Sequence, residues 1–218
     1  MHWHARSFND KPLASADFGK TVACGLSLND VGKSFAWKRT MFLVISSSLN
    51  PESRSRILAR RAADLIAGAN EQVEFVDLCE VELPRCDGAG CYSDENVVMI
   101  SRKIREAQGI LLGVPIYNYQ AGSSAKNLIE LTGKAWEDTV VGFLCAAGGR
   151  GSYMSVMSLA NSLMLDFRTF ILPRFIYTTE DEVNVDQAID EKVEKRLQEL
   201  TTQLVKVAKQ LSLREQAD

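Results

Sequence analysis

Residues 41–68, MFLVISSSLNPESRSRILARRAADLIAG, decide the fold. The apolar run 41–46 is followed by a serine cluster and is typical of a buried strand. From Ser53 onward, apolar residues recur at helical spacing, and Gly68 or Asn70 ends the pattern. A buried strand that leads through a polar turn into an amphipathic helix is a building unit of parallel α/β sheets.

The same alternation of strand and helix continues along the chain. Further strands are predicted at 73–78, 110–114, 140–146 and 170–177, and helices at about 97–107, 123–132, 152–166 and 186–211. The strands are continuous apolar runs, which indicates a sheet covered by helices on both faces. Five such units fit an α/β fold of the flavodoxin-like type, a three-layer, doubly wound, five-stranded parallel sheet with helices on both faces. The expected strand order 2-1-3-4-5 comes from this fold type and is not read from the spacing of the strands. The apolar seam of the last helix is expected to pack on the sheet, with a dimer contact as the alternative.

Composition excludes several classes of protein. The chain has 218 residues, of which 46% are apolar and 24% charged, which is the usage of an ordinary globular protein. A net charge of -3 gives no reason to expect a nucleic-acid partner. The longest uncharged stretch, 107–125, is too polar to span a bilayer, so no membrane association is expected. Five cysteines without a tight pattern suit a reducing compartment, so we predict a cytoplasmic location.

Residues 1–40 differ from the rest of the chain. They carry six basic and three acidic residues, whereas residues 41–218 carry 19 basic and 25 acidic residues. We predict an extension outside the core fold at 1–40 and a single domain at 41–218, with Met41 as an alternative natural start. Both histidines, His2 and His4, lie in the extension. The domain therefore lacks the imidazole that a Ser-His-Asp or Cys-His relay requires.

A candidate phosphate site lies in the turn between the first strand and the first helix. Hydroxyl groups and the free N–H groups at the start of a helix together match a phosphate dianion. Arg54 and Arg56 add charge-assisted hydrogen bonds. The alternative is ordinary capping of the helix by Ser53. The candidate residues in this turn are Ser46, Ser48, Asn50, Ser53, Arg54 and Ser55.

Two further loops follow the third and fourth strands, and the carboxyl ends of such strands meet at one edge of the sheet. The loop that begins at Pro115 is uncharged and offers amide and aromatic groups to a flat heterocycle. The loop after Ala146 has three glycines, which allow a ligand to approach the backbone closely, and Arg150 beside them. The alternatives are a turn stiffened by Pro115 and a flexible loop. The candidate residues are Pro115, Ile116, Tyr117, Asn118, Ala147, Gly148, Gly149 and Gly151.

With these motifs in order, residues 41 to about 180 resemble the NAD(P)H-dependent FMN reductases, the flavodoxin-like group that includes azo, quinone and chromate reductases. Residues 47–56 stand in place of the family's Gly-Ser-Leu-Arg-x-x-Ser-x-Ser/Asn-Arg phosphate loop. Residues 115–118 (Pro-Ile-Tyr-Asn), then Gly122 and 125–127 (Ala-Lys-Asn), stand in place of its Pro-Glu-Tyr-Asn, Gly and Leu-Lys-Asn, and residues 148–151 match its Gly-Gly-x-Gly. The chain departs from the family at Ser47, Asn50 and Ile116, where the family has Gly, Arg and often Glu.

The resemblance implies FMN as cofactor, with its phosphate on Ser48, Ser53 and Ser55, and NADPH or NADH as co-substrate. Hydride would pass from reduced nicotinamide through FMN to a small acceptor: a quinone, an azo compound, a free flavin or a metal oxyanion. Relatives often pair, so a homodimer or homotetramer is expected. No catalytic side chain and no metal ligand is assigned, since the cofactor supplies the chemistry.

Two other functions compete with this one. A flavodoxin-like electron carrier would bind the same cofactor but have no substrate site of its own. A phosphoesterase would use Cys79, Cys86 or Cys91 as nucleophile, although the predicted phosphate turn contains serines and no cysteine. A metal site on Cys86 and Cys91 is an incomplete ligand set.

Overall fold

A computed structural model describes residues 39–184, 186 and 188–215 of the protein. The predicted extension 1–40 lies outside this part of the chain except for Arg39 and Thr40, so its role and the alternative start at Met41 stay predictions. These described residues contain seven strands: β1 Met41–Ser46, β2 Val73–Asp77, β3 Ala107–Tyr117, β4 Gln120–Ala121, β5 Val140–Ala146, β6 Phe170–Ile171 and β7 Ile176–Thr178. The α-helices are α1 Arg54–Gly68, α2 Glu95–Glu106, α3 Ser123–Thr132, α4 Met157–Phe167 and α5 Glu191–Glu215.

The main sheet is parallel and has the order β2-β1-β3-β5-β6, with β7 also paired to β5. This is the flavodoxin-like order predicted from the sequence, since β5 is the fourth major strand and β6 with β7 takes the place of the fifth. The predicted single strand 170–177 is wrong in one respect, because it is interrupted at 172–175. Pro173 lacks an N–H for the ladder, and Arg174 adopts a left-handed backbone with φ 59°.

Two apolar clusters cover the two faces of the sheet. Successive side chains of β1 point to opposite faces of the sheet. Phe42 and Val44 therefore belong to one cluster, and Leu43 and Ile45 belong to the other. Helices α1 and α5 pack on the first face, and α2, α3 and α4 on the second. The seam of α5 is buried against α1 and the sheet, as predicted, at Val193, Leu197, Leu200, Leu204 and Ala208.

Several element boundaries differ from the predicted ones. Strand β3, Ala107–Tyr117, is longer than the predicted strand 110–114 and continues through Pro115. Strand β1 ends opposite Gly113, so the missing N–H of Pro115 costs no hydrogen bond on that side. The helix predicted at 152–166 begins as a 3₁₀ segment, Arg150–Val156, before α4. The last helix begins at Glu191 and reaches Glu215. None of the helices in the described ranges is long and apolar enough to cross a membrane.

Candidate functional site

The turn between β1 and α1 is fixed to its neighbours at Ser47. The Ser47 N–H and hydroxyl both donate to the Gly113 carbonyl of β3, at 3.0 and 2.7 Å. The Ser47 carbonyl accepts from the hydroxyl of Ser124, in the first turn of α3. The backbone at the start of the turn is therefore held by two separate elements.

Short local hydrogen bonds shape the rest of this turn. The Asn50 N–H donates to Ser48 Oγ at 3.2 Å, and the Glu52 N–H donates to Asn50 Oδ1 at 3.0 Å. Side-chain oxygens that accept from the backbone two residues onward build compact turns of this kind. Ser48 and Asn50 thus have a structural role in the turn, and Ser48 is 1% exposed.

Ser53 occupies the N-cap position of α1, but its side chain makes no capping hydrogen bond. Its hydroxyl oxygen lies 2.9 Å from that of Ser55 instead. The capping alternative therefore does not describe this turn. The first amides of the helix, those of Arg54 and Ser55, receive no oxygen from Ser53, so the positive end of the helix is left for another acceptor.

Two buried polar atoms at this turn have no hydrogen-bond partner among the described residues: Ser46 Oγ and Arg54 Nε. An unpartnered buried donor costs free energy, so native proteins pair such groups with protein, water or ligand. Ser46 ends β1 and Arg54 begins α1, so both belong to the predicted phosphate turn. A bound anion at the start of the helix suits this donor set.

Arg56, the second arginine expected to contact a phosphate, is engaged elsewhere. Its guanidinium pairs with Asp77 at the end of β2, with Glu80 at 2.9 Å and with the Pro51 carbonyl at 3.0 Å. The hydrogen bond that Arg56 donates to the Asp77 carboxylate raises the pKa of Arg56 above its ordinary value. Since the Asp77 side chain is only 1% exposed, Arg56 neutralises a buried carboxylate rather than extending the phosphate turn.

The second predicted loop is the end of β3 followed by a tight hairpin. Pro115 and Ile116 belong to β3, and Tyr117 pairs with Gln120 across the hairpin. The two turn residues, Asn118 and Tyr119, have φ of 48° and 61°, as a two-residue hairpin of this hand requires. The aromatic rings of Tyr117 and Tyr119 are exposed.

Gly122 closes the hairpin onto Pro115. Its N–H donates to the Pro115 carbonyl at 2.8 Å. A Cβ at this position would come within 2.9 Å of Pro115 Cγ, so only glycine allows the approach. The backbone that follows β3 is thus folded back on the strand.

The third loop is anchored by the last strand. The Ala147 N–H donates to the Thr178 carbonyl at 2.9 Å, and the Tyr177 hydroxyl donates to the Gly149 carbonyl. Gly148 and Gly149 have open space around the position of a Cβ. The Cβ position of Gly151 lies 3.1 Å from the hydroxyl of Tyr119, so the second and third loops meet there.

The three loops follow β1, β3 and β5, which are neighbours in the sheet. The structure therefore brings all the predicted site residues to one edge, along the carboxyl ends of these strands. Four residues of this edge were not among the binding residues predicted from the sequence: Tyr119, Ser124, Tyr177 and Glu180. Each acts through a contact between distant segments, and no local pattern marks such a contact.

A cavity of about 1200 Å³ opens beside the phosphate turn at Leu49. The segment after β2 and the start of α3 form its walls, and two cysteines line it, Cys79 and Cys86. Cys79 Sγ lies 3.5 Å from the Leu49 carbonyl, outside the turn itself. Burial, and a hydrogen bond with Asp87, raise the pKa of the Cys91 thiol. These thiols are not placed as the phosphoesterase alternative requires.

Comparison with known proteins assigns the chain to a family. The sequence model of the NADPH-dependent FMN reductases matches residues 40–184, about two thirds of the chain, and the chain belongs to this family. Family membership gives it FMN as cofactor and reduced nicotinamide, NADPH or NADH, as electron donor, as the family resemblance implied.

Solved structures show the same fold. The flavoenzyme FerB of Paracoccus denitrificans, an NAD(P)H:(acceptor) oxidoreductase, matches with a TM-score of 0.65 at 22% identity, over 78% of this chain and 98% of its own. An NADH:FMN oxidoreductase in its apo form matches with a TM-score of 0.64 at 15% identity, over 76% of this chain and 88% of its own. At these identities the likeness concerns the fold alone.

A curated relative matches a shorter region. An iron-sulfur flavoprotein of Methanocaldococcus jannaschii is 33% identical over 93 residues, which is 39% of this chain and 48% of the relative. The match thus spans about half the length of that protein. Among residues 39–184, 186 and 188–215, no group of three or more His, Cys, Asp or Glu side chains is placed to hold a metal ion.

Proposed function

We propose that this protein is an FMN-dependent NAD(P)H oxidoreductase that passes electrons from reduced nicotinamide through bound FMN to a small acceptor: a quinone, an azo compound, a free flavin or a metal oxyanion. The observation that carries the proposal is the uncapped start of α1 together with the buried Ser46 Oγ and Arg54 Nε, which have no partner among residues 39–184, 186 and 188–215. The proposed cofactor-binding residues are Ser46, Ser48, Asn50, Ser53, Arg54, Ser55, Pro115, Ile116, Tyr117, Asn118, Ala147, Gly148, Gly149 and Gly151.

The phosphate of FMN would bind at the β1–α1 turn. The hydroxyls of Ser53 and Ser55, 2.9 Å apart, would donate to its oxygens, and Arg54 would supply the positive charge. The first amides of α1 would add backbone donors. Ser48 and Asn50 would keep the turn in shape through the hydrogen bonds that they already make.

The ring of FMN would lie between the hairpin after β3 and the loop after β5. Both segments are uncharged where they would face the ring, apart from the exposed side chain of Arg150, which lies 3.9 Å from Glu182. Backbone amides at Ile116, at Asn118 and in residues 147–151, which we call the glycine loop, would orient the polar edge of the ring. Tyr117 would offer an aromatic face, because its side chain is exposed at the hairpin.

FMN, when bound, supplies the hydride chemistry, and the chain supplies binding, orientation and electrostatics. Backbone donors of the glycine loop would favour the reduced cofactor by hydrogen bonding to its polar edge. No side-chain base is needed for this role, in keeping with the absence of histidine from residues 41–218.

An iron-sulfur cluster is not part of the proposal, although one relative is named for it. Such clusters are commonly held by four thiolates. Of the cysteines in the described part of the chain, Cys145 lies buried within β5, which leaves Cys79, Cys86 and Cys91 in the segment after β2. From this relative we therefore carry over only the binding of a flavin, and not the iron-sulfur cluster.

We also propose that the protein works in the cytoplasm and assembles as a homodimer or homotetramer. Free cysteines at Cys79 and Cys86 suit a reducing compartment. Exposed Tyr117, Tyr119 and Met154 beside the proposed ring site give a second copy an apolar surface to cover.

The visible spectrum of the purified full-length protein tests the proposed function. We expect flavin absorbance, either as isolated or after addition of FMN, and anaerobic bleaching when NADPH or NADH is added. A flavin-loaded protein that no nicotinamide bleaches would favour the electron carrier. A colourless protein that shows no heat of binding with FMN in titration calorimetry would overturn the proposal.

A further inference from the structure

Tyr177 ties the glycine loop to β7, the strand beside β5. Its hydroxyl donates to the Gly149 carbonyl and lies 3.1 Å from Ser152 Oγ. A phenol has one proton, and a carbonyl can only accept, so that proton goes to Gly149 and Ser152 donates to the Tyr177 oxygen. One hydroxyl thereby fixes both ends of the segment 149–152.

The ring of Tyr177 is held as firmly as its hydroxyl. The side chain is buried, and the ring of Tyr153 meets it edge-on with the centroids 5.5 Å apart. Tyr153 in turn stacks on Phe175 at 4.8 Å. Aromatic contacts of this kind restrict ring orientation, so the hydroxyl is a fixed anchor for the loop.

The direction of one peptide group follows from this anchor. In a planar trans peptide, the carbonyl and the next N–H point in opposite directions. Since the Gly149 carbonyl points to Tyr177, the N–H of Arg150 points away from it. The space around the Cβ positions of Gly148 and Gly149 is open.

We infer that Tyr177 is a positioning residue for the flavin site: it orients the Gly149–Arg150 peptide so that its N–H is presented to the ring of FMN. The inference rests on the proposed function. Tyr177 does not touch the cofactor in this scheme, and it acts through the loop. Loss of the hydroxyl would leave the Gly149 carbonyl without its buried donor and free the peptide to rotate.

The test compares Tyr177→Phe with Tyr153→Phe, which removes a hydroxyl from the same aromatic cluster without touching Gly149 or Ser152. We expect Tyr177→Phe to weaken FMN binding about tenfold, as the loss of one well-placed hydrogen bond would. We also expect Tyr177→Phe to lose about a factor of ten in its preference for reduced over oxidised FMN. That loss would lower the two-electron midpoint potential of the bound FMN by about 30 mV. Tyr153→Phe should retain the parent affinity and potential.

Ser152→Ala provides a second variant in case Tyr177→Phe does not fold, because it removes the other partner of the same hydroxyl. It should shift the potential in the same direction. Parent-like affinity and potential in both Tyr177→Phe and Ser152→Ala would overturn the inference. If the parent protein itself bound no FMN, the proposed function would fail first, and the inference would fail with it.

Discussion

Arg54 and Glu180 form an ion pair at the start of α1, with Arg54 Nη2 3.4 Å from Glu180 Oε2. The Nε of the same guanidinium is buried and has no hydrogen-bond partner within the described part of the chain. Glu180 follows β7, so the end of the last strand contributes a carboxylate to the edge of the proposed phosphate site. This carboxylate competes with any anion for Arg54.

Substitution of Glu180 should therefore strengthen phosphate binding. We expect Glu180→Gln to raise the affinity for FMN roughly two- to fivefold at low salt, a modest gain because exposed ion pairs are screened. Calorimetric titration at low and high salt would measure the change, and it should shrink at high salt. A lower affinity in the variant would mean that Glu180 orients Arg54 rather than competing for it.

Arg54→Leu should weaken binding of FMN about 10- to 100-fold, because a hydrogen bond between two charged groups is lost. Riboflavin, which has no phosphate, should bind the variant and the parent alike. Arg105→Leu is the matched control, since it removes an exposed arginine of α2 far along the chain from the turn. Equal loss of affinity for FMN and riboflavin would contradict the assignment of Arg54 to the phosphate.

Two glycine substitutions should have opposite effects on stability. Gly122→Ala places a Cβ 2.9 Å from Pro115 Cγ and should lower the free energy of unfolding by about 1–3 kcal/mol. Gly68→Ala, at the end of α1 with open space around it, should raise it by about 0.5–1 kcal/mol. Urea denaturation followed by circular dichroism would measure both. A neutral Gly122→Ala would show that the hairpin can move away from β3.

The cysteines should differ in reactivity toward iodoacetamide in the native protein. Cys145 is fully buried in β5, and burial raises the pKa of its thiol far above the ordinary value, so it should stay unmodified at pH 8. The half-buried Cys79 and Cys86 should be alkylated. Peptide mass spectrometry after timed quenching would measure each site. Early alkylation of Cys145 would reveal local opening of the sheet between β5 and its neighbours.

The fold and the three loops could be predicted because their signals are local. Apolar runs such as 41–46 and 140–146 mark strands, and the parallel topology then brings the loops after β1, β3 and β5 to one edge. The hairpin at Asn118 and Tyr119 could not be predicted, since tyrosine rarely adopts a left-handed backbone.

Contacts between segments that are distant in the sequence could not be predicted either. The bond from Ser124 to Ser47 joins residues 77 apart, and the bond from Tyr177 to Gly149 joins residues 28 apart. Arg56 looked equivalent to Arg54 in the sequence, but its pairing with Asp77 depends on β2 lying beside β1. Such roles become visible only when the strands are in register.

Strand β3 holds the first two loops at once. Gly113 accepts both hydrogen bonds of Ser47, and Pro115, two residues later, accepts from Gly122. Two residues of an extended strand span about 7 Å. The spacing between the proposed phosphate turn and the proposed ring-binding hairpin is thus set by one short, fully buried piece of backbone. If FMN binds as proposed, a nucleotide with a longer or shorter linker between ring and phosphate should bind less tightly because its length does not fit this spacing.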